Sequence, residues 1–234
     1  MPFFRCRLGA VYFAHVPKCG GTSVERYLQS RWGRLAFKDG RFLLRPESAR
    51  WSKSSPQHIT VADLEQLFPP GFFALSFAVV RHPVARAISL YRYQRDIVRT
   101  LPQDLAFTPW LDGLATQLRE APYALDNHPR PMSEFIPEEA RIFRLEDGLQ
   151  PVADWLDELP ARRPAPEPIG RNNSYDEKLA RSGGTPGPKV APTDADRARI
   201  AEIYAVDFER FGYELETPGL ETESGSDKGG DAPE

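Results

Sequence analysis

The sequence predicts an α/β fold with a central, mainly parallel sheet flanked by helices. Two apolar stretches, residues 8–14 and 72–80, each lead directly into a segment with apolar residues at helical spacing. The second stretch is apolar at nearly every position, as expected of a strand that is covered on both faces. A third strand is predicted at residues 140–145, followed by a helix that begins at Pro151. This recurring order of strand and helix is the basis of the predicted fold class.

The segment that joins the first strand to the first helix has the features of a phosphate-binding loop. Gly20 and Gly21 can adopt positive φ, which lets backbone N–H groups close around an anion. Thr22 and Ser23 begin the helix, whose positive dipole end faces the same place. Lys18 precedes both glycines, whereas the lysine of a Walker A loop follows the last glycine. The loop is therefore predicted to bind an anion in a different way.

This loop resembles the 5′-phosphosulfate loop of sulfotransferases that use 3′-phosphoadenosine-5′-phosphosulfate (PAPS), especially carbohydrate-directed families similar to heparan sulfate 2-O-sulfotransferases. The resemblance extends over residues 8 to about 213 and implies a three-layer, P-loop NTPase-like fold. It also implies that Lys18 is catalytic and neutralises the charge that develops on the bridging oxygen of the donor. The residues implied to bind the donor here are Pro17, Lys18, Cys19, Gly20, Gly21, Thr22 and Ser23.

A second stretch, residues 77–91, is another apolar strand that runs into a helix, with Pro83 suited to the first helical turn. In the sulfotransferase family, the arginine that ends this strand and the serine eight residues later bind the 3′-phosphate of PAPS. Arg81 and Ser89 occupy those places and are implied to select this donor over ATP. Three later arginines are expected on a solvated helix face, namely Arg92, Arg95 and Arg99.

His58 is the candidate general base. Thr60 and Asp63 form a capping box for a short helix, so His58 lies just before a helix N-terminus. The positive dipole end there is expected to lower the pKa of the histidine and keep it neutral. A neutral imidazole is the form that accepts a proton. Similar sulfotransferases place a catalytic histidine in this interval, often after a glutamine, and Gln57 precedes His58.

Residues for the acceptor are expected in two places. Residues 126–135 resemble a segment that usually reads His-x-x-Pro-Gln in these sulfotransferases, which makes His128 and Arg130 candidate acceptor ligands. Met132 stands where the glutamine is usual, so the acceptor contacts are expected to differ. Basic and aromatic residues also alternate over residues 31–57. That region is either a groove for a sugar or anionic acceptor, or an insertion with a few aromatic residues pinned to the core.

The chain is predicted to form one domain over residues 1–213, followed by a disordered acidic tail at 214–234. Residues 160–192 are rich in Pro, Gly and Arg and are expected to form a mobile loop or a lid over the donor. Asn173 and Ser174 resemble an Asn-x-Ser element in the donor-covering loop of related enzymes, and are therefore implied to bind PAPS.

Composition limits the class of protein. Residues 1–100 carry 16 basic and 6 acidic residues and the rest carries 14 and 27, so both anion-binding stretches lie in a basic half. No nucleic-acid-binding module, apolar run of membrane-spanning length or signal peptide is recognisable, which favours a cytoplasmic protein. Cys6 and Cys19 are too few for a disulfide framework. The acceptor, whether saccharide, lipid or small metabolite, and the oligomeric state are left open.

Two other functions fit a strand, an anion loop and a helix. A P-loop kinase of small molecules would need Ser or Thr beside its lysine and an acidic strand end, where this chain has Arg81. A non-catalytic anion-binding module would keep the loop without turnover; Met132 favours this alternative, whereas Lys18 and His58 disfavour it. No sequence cluster of His, Cys and carboxylate residues suggests a metal site, and sulfuryl transfer requires none.

Overall fold

The computed structural model describes residues 2–160, 169 and 175–215. Its sheet has four strands in the order β1-β2-β3-β4, with β1 antiparallel to β2 and the other neighbours parallel. The strands are β1 (Phe3–Cys6), β2 (Gly9–Ala14), β3 (Phe73–Val80) and β4 (Arg141–Arg144). The three predicted strands are present, and β1 extends the sheet through a tight turn that the sequence analysis did not identify.

The described residues contain eight α-helices, together with short 3₁₀ segments and one π-helical turn. They are α1 (Gly21–Trp32), α2 (Val61–Leu67), α3 (Pro83–Arg92), α4 (Phe107–Glu120), α5 (Gln150–Asp157), α6 (Tyr175–Ser182), α7 (Asp194–Ile203) and α8 (Ala205–Phe211). The predicted capping box of α2 is formed in full, because Thr60 and Asp63 each accept the backbone N–H of the other. No helix in these ranges is both long and apolar enough to cross a membrane.

Helices cover both faces of the sheet. Phe13, Phe77 and Val79 point to one face, where they pack with residues of α1 and α5. The alternate residues of the same strands, among them Tyr12 and Ala78, pack on the other face beneath α2 and α8. Successive side chains of a strand point to opposite faces, so one sheet contributes to two hydrophobic cores. The predicted three-layer α/β fold is confirmed, and β2, its loop and α1 have the order of a P-loop unit.

The structure differs from the sequence predictions in the second half of the chain. Part of the predicted loop at residues 160–192 is helix α6, which buries Leu179. Near the end of the described chain, Tyr204 separates two consecutive helices, α7 and α8. After α3 the chain continues as a π-helical turn over Tyr93–Ile97. The proposed donor ligands Asn173 and Ser174 and nearly all of the predicted tail lie outside the described residues.

The topology determines where functional residues can meet. Strands β2, β3 and β4 are parallel, with Ala14 paired to Ala78 and Val80 paired to Arg144 near their carboxyl ends. The segments that follow these strands therefore emerge at the same edge of the sheet. Ligands of open α/β sheets bind at this carboxyl edge.

Candidate active site

The loop between β2 and α1 presents an open helix N-terminus at the carboxyl edge. Lys18 has φ of 70° and Gly20 has φ of 79°, so two left-handed residues turn the chain into α1. Within the described residues, no side chain caps the start of α1 and no acidic residue lies in its first turn. The backbone N–H groups of the first turn and the helix dipole together make this end of α1 attractive to an anion.

Gly21 is required by close packing rather than by its φ angle. A Cβ atom at this position would collide with the imidazole of His15. His15 is held there because its Nδ1 atom lies 2.6 Å from Oε1 of Glu25, whose Oε2 contacts Nζ of Lys38 at 2.7 Å. Burial acts to raise the pKa of Glu25, but His15 and Lys38 outweigh it and lower that pKa to about 2. The loop is therefore braced by an ionised carboxylate on α1 itself.

Lys18 points toward an aromatic ring and other cations. Its Nζ atom lies 3.9 Å from the ring centroid of Tyr93, which begins the π-helical turn after α3. Burial lowers the pKa of Lys18 well below its ordinary value, and the nearby charges of Lys178, Arg81 and Arg86 lower it further. An ammonium that is partly withdrawn from water and surrounded by other cations is stabilised by a bound anion.

His58 is hydrogen-bonded to a carboxylate that the sequence analysis did not identify. Its Nδ1 atom lies 2.7 Å from Oδ2 of Asp126, and the hydroxyl of Ser55 also donates to that oxygen at 2.7 Å. Burial lowers the pKa of His58, while the hydrogen bond to Asp126 acts to raise it. The expected lowering is thus present, but burial rather than the dipole of α2 is its main cause. His58 ends a separate 3₁₀ turn, Pro56–His58.

Asp126 lies in a strained segment. Leu125, Asp126 and Asn127 all have positive φ, of 54°, 58° and 65°. Such conformations cost about 1–3 kcal/mol for each non-glycine residue and persist only where other contacts hold them. Here the side-chain amide of Asn127 donates to the carbonyl of His58 at 2.8 Å, and the backbone N–H of Ser55 donates to Asp126 at 2.5 Å. The segment is therefore fixed against the turn that carries His58.

Three histidines form a connected group between the loop and this pair. The ring of His58 meets the ring of His15 at 5.0 Å and that of His128 at 4.8 Å, both edge to face. His128 in turn lies 5.6 Å from Tyr93, the residue that contacts Lys18. Burial lowers the pKa of His128 well below its ordinary value, and the neighbouring His58 lowers it further. Successive ring contacts thus link the candidate base to the anion loop.

A set of possible metal ligands arises only in three dimensions. Nitrogen atoms of His58 and His128 and a carboxylate oxygen of Asp126 lie within 4.8 Å of one another. Two imidazoles and one carboxylate are suitable ligands for Zn²⁺. However, His58 and Asp126 already bond each other, and the charges of Lys18 and Arg86 act on His128. The positive charges of Lys18 and Arg86 would repel a bound dication. The cluster of His58, Asp126 and His128 is therefore better suited to proton transfer.

The second predicted donor stretch also ends at this edge. Arg81 follows β3, and its charge acts on both Lys18 and Cys19. Ser89 lies two turns along α3 and is half-buried. Met132 is fully buried, with its sulfur 3.7 Å from Sγ of Cys19 and 3.5 Å from the backbone nitrogen of Arg81. Met132 therefore packs beneath the two donor stretches.

Cys19 lies within the anion loop, between Lys18 and Gly20. Its side chain is buried, and burial raises the pKa of the thiol to about 12. At neutral pH the sulfur is protonated, and a thiol is a poor nucleophile in comparison with a thiolate.

Arg86 connects the anion loop between β2 and α1 to the segment that contains His128. Its Nε atom donates to the carbonyl of Pro17 at 3.1 Å, and its Nη2 atom donates to the carbonyls of His128 and Arg130 at 2.9 and 2.8 Å. The side chain of Arg130 is itself occupied, because it bonds Pro122, Asn127 and Glu134. The structure therefore places Arg130 in the framework of this segment, and its expected acceptor contact remains a prediction.

The residues that sequence reasoning missed lie far along the chain from their partners. Asp126 meets His58 across 68 positions, and Arg86 meets Pro17 across 69. Tyr93 begins the π-helical turn after α3, and its contact with Lys18 depends on how α3 packs. The one available signal was local, since Asp126 directly precedes Asn127 and His128 in the segment that was selected for its resemblance.

An anion loop near a histidine–carboxylate pair, at the carboxyl edge of a parallel sheet, fits the class of enzymes that act on a negatively charged group. More specifically, the chain matches the sulfotransferase family over residues 2–214, and it belongs to that family. It is therefore a transferase. The crystal structure of a sulfotransferase from Alicyclobacillus acidocaldarius is 15% identical, with 86% of this chain and 92% of that chain covered and a TM-score of 0.47. The comparison with curated proteins gave no match.

Proposed function

We propose that this sulfotransferase transfers a sulfuryl group from PAPS to a hydroxyl or amine of a carbohydrate or related metabolite. One arrangement carries the proposal: the histidines and Tyr93 connect His58 to Lys18 through successive ring contacts. Transfer from a donor to an acceptor requires that a base and an anion-binding lysine lie near each other. Here they lie at the two ends of one short series of ring contacts.

The residues of the loop fit the 5′ end of such a donor. Lys18, the turn at Gly20 and the open start of α1 supply a positive charge and backbone N–H groups at one place. Arg81 follows β3 and Ser89 lies on α3, and both are proposed to bind the 3′-phosphate. PAPS supplies the activated sulfuryl group when it is bound, and Lys18 would stabilise negative charge on the bridging oxygen as the S–O bond breaks.

His58 would act as the general base. With Nδ1–H donated to Asp126, its Nε2 atom is left to accept the proton of the acceptor hydroxyl. The new O–S bond then forms as the S–O bond to the donor breaks, and the proton stays on His58 until it is released to solvent. Asp126 stabilises the imidazolium and keeps the ring in one tautomer. Proton removal by such a base contributes about 10²–10⁴-fold to a rate.

The proposed acceptor side is the basic and aromatic region that precedes His58. Trp51 is half exposed and stacks edge to face on Phe37 and Phe42. The guanidinium of Arg45 lies 5.8 Å from the ring of Phe42. The exposed ring of Trp51, in a region that also carries the cation Arg45, suits a saccharide with acidic groups and supports a carbohydrate acceptor over an apolar one.

Calorimetric titration tests the donor. The protein is titrated with adenosine 3′,5′-bisphosphate and, separately, with magnesium ATP. Tight binding of the bisphosphate without binding of ATP is expected, and it would justify screening acceptors with labelled PAPS. Preference for magnesium ATP would overturn the proposal in favour of a kinase.

Lys18→Ala distinguishes an enzyme from a binding module. An enzyme should lose turnover of labelled PAPS strongly, because charge on the bridging oxygen is then unneutralised. A module that only binds the nucleotide would show no turnover in the parent protein and only a loss of affinity in the variant.

We also propose that residues 1–213 form a single domain and that the protein is cytoplasmic. The family match over residues 2–214 supports the domain boundary. Limited proteolysis tests the first point, since one stable fragment is expected, and cell fractionation tests the second.

A further inference from the structure

Helix α6 brings a second lysine to the active site. The Nζ atom of Lys178 lies 5.4 Å from the ring centroid of Tyr93, and Nζ of Lys18 lies 3.9 Å from the same centroid. Two ammonium groups thus converge on one ring, although Lys178 stands in a segment predicted as a loop. In the part of the chain that the structure describes, neither ammonium forms an ion pair with a carboxylate.

The position of α6 is determined by buried contacts to the π-helical turn after α3. The hydroxyl of Tyr175 donates to Oδ2 of Asp96 at 2.6 Å, and the guanidinium of Arg92 stacks 3.7 Å from the ring of Tyr175. Asp96 is also paired with Arg95, at 2.6 Å, and both of these side chains are buried. The expectation of a solvated face is therefore wrong for Arg95, which is buried, whereas Arg92 is half-buried against Tyr175 and Arg99 is exposed as expected. Arg92 and Arg95 instead fix α6 to the core.

The chain after α6 packs directly against the same turn. The Nη2 atom of Arg95 donates to the carbonyl of Pro188 at 3.2 Å. A Cβ atom at Gly187 would collide with the guanidinium of Arg95, and one at Gly184 would lie 2.9 Å from the carbonyl oxygen of Asp96. Glycines at both places permit this close approach. Lys178 is thus carried by an anchored helix, and its convergence with Lys18 is a property of the packed core.

Two like charges brought together without a counter-charge repel each other, and this arrangement lowers stability unless an anion binds. Both lysines are also partly withdrawn from water, and burial lowers the pKa of each. Lys178 has the largest effect of any charge on the pKa of Lys18. The chain therefore places cations where the 5′ end of the donor would lie.

We infer that Lys178 is a second ligand for the 5′ phosphosulfate of the donor. It would act together with Lys18, which lies in the loop between β2 and α1, whereas Lys178 lies on α6. This inference rests on the proposed function. The two ammonium groups would share the negative charge of the phosphosulfate, which carries charge on both the phosphate and the sulfuryl oxygens. As the S–O bond breaks, the charge on the remaining 5′-phosphate increases, and Lys178 stabilises it together with Lys18.

The test compares three nucleotides by calorimetry: PAPS, adenosine 3′,5′-bisphosphate and adenosine 3′-monophosphate. Lys178→Ala should weaken binding of the first two at least tenfold. Binding of the monophosphate, which has no 5′ group, should change less than twofold. Lys178→Arg should restore most of the lost affinity, because it keeps the charge. Arg181→Ala is the matched control, since Arg181 lies on the same helix, is exposed and is paired with Glu177.

The outcomes separate this inference from the proposed function. If the parent protein binds adenosine 3′,5′-bisphosphate and Lys178→Ala binds it equally well, the inference is wrong and the proposed function stands. If Lys178→Ala weakens all three nucleotides equally, Lys178 supports the fold rather than the 5′ group, and the inference is again overturned. If the parent protein binds none of the three, the proposed function itself fails.

Discussion

The Nδ1 atom of His58 lies 2.7 Å from Oδ2 of Asp126, and the same carboxylate accepts hydrogen bonds from the backbone and hydroxyl of Ser55. Burial acts to raise the pKa of Asp126, but the hydrogen bonds from His58 and Ser55 keep it below its ordinary value. The carboxylate is therefore ionised at neutral pH. It orients the ring of His58 and leaves one nitrogen as a proton acceptor.

His58→Ala should keep donor binding and lose most transfer. The imidazole is assigned to proton removal rather than to the nucleotide, so the dissociation constant of adenosine 3′,5′-bisphosphate should change less than about threefold. The rate of transfer should fall about 10²–10⁴-fold, as expected when a general base is removed. Calorimetry and turnover of labelled PAPS measure the two quantities. Unchanged transfer would remove His58 as the base.

The pH profile should report the buried imidazole. Only neutral His58 accepts a proton, so kcat/KM should rise with pH and level off. Because burial lowers the pKa of His58, the rise should occur below the ordinary imidazole range. Asp126→Asn removes a group that raises this pKa, so the rise should move to still lower pH. The same variant should lose kcat, because an amide can hold the ring in the wrong tautomer. A rise that stays at the same pH in both proteins would assign it to another group.

Gly21→Ala should disrupt the donor loop. The added methyl group collides with the imidazole of His15, which cannot withdraw without leaving Glu25. We expect a loss of about 1–3 kcal/mol in the free energy of unfolding, typical of overpacking, and weaker binding of adenosine 3′,5′-bisphosphate. Gly113→Ala is the control, because a Cβ at that position in α4 meets no atom within 4 Å. That variant should be neutral or slightly more stable. Equal stability of the two variants would contradict the close packing.

Glu25→Gln should make the free energy of unfolding less dependent on pH in the acid range. Folding lowers the pKa of Glu25 from 4.5 to about 2, so its ionised form contributes stability that is present above pH 4.5. This contribution is lost as pH falls toward 2. By linkage, the shift corresponds to about 3 kcal/mol at neutral pH, an order-of-magnitude value. Urea unfolding should show a less stable variant at pH 7 and a smaller difference at pH 3.

The control for this prediction is Glu202→Gln, because Glu202 forms an exposed ion pair with Arg199 on α7. Exposed pairs contribute about 0–1 kcal/mol. A difference between Glu25→Gln and the parent protein that does not change with pH would show that hydrogen-bond acceptance, and not charge, makes Glu25 important.

Local patterns were sufficient for most elements of the fold. The strands β2 and β3 are runs of apolar residues, and the starts of α2 and α7 are capping boxes, so each is specified by a few neighbouring residues. Helix α6 was missed because only Leu179 of its residues is buried, and its anchor, the bond from Tyr175 to Asp96, spans 79 positions. Strand β1 was missed because four residues carry too short a pattern.

The sequence by itself determined the anion loop, since Lys18, the two glycines and the start of α1 act through local backbone geometry and a helix dipole. It also indicated His58 and the family, through short motifs. Only the tertiary structure decided which groups meet that loop. Asp126, Tyr93 and Lys178 reach the site from separate elements, because parallel strands end at one edge and helix packing brings distant side chains together there. Burial at that edge, which no local pattern encodes, lowers the pKa values of the lysine and histidines.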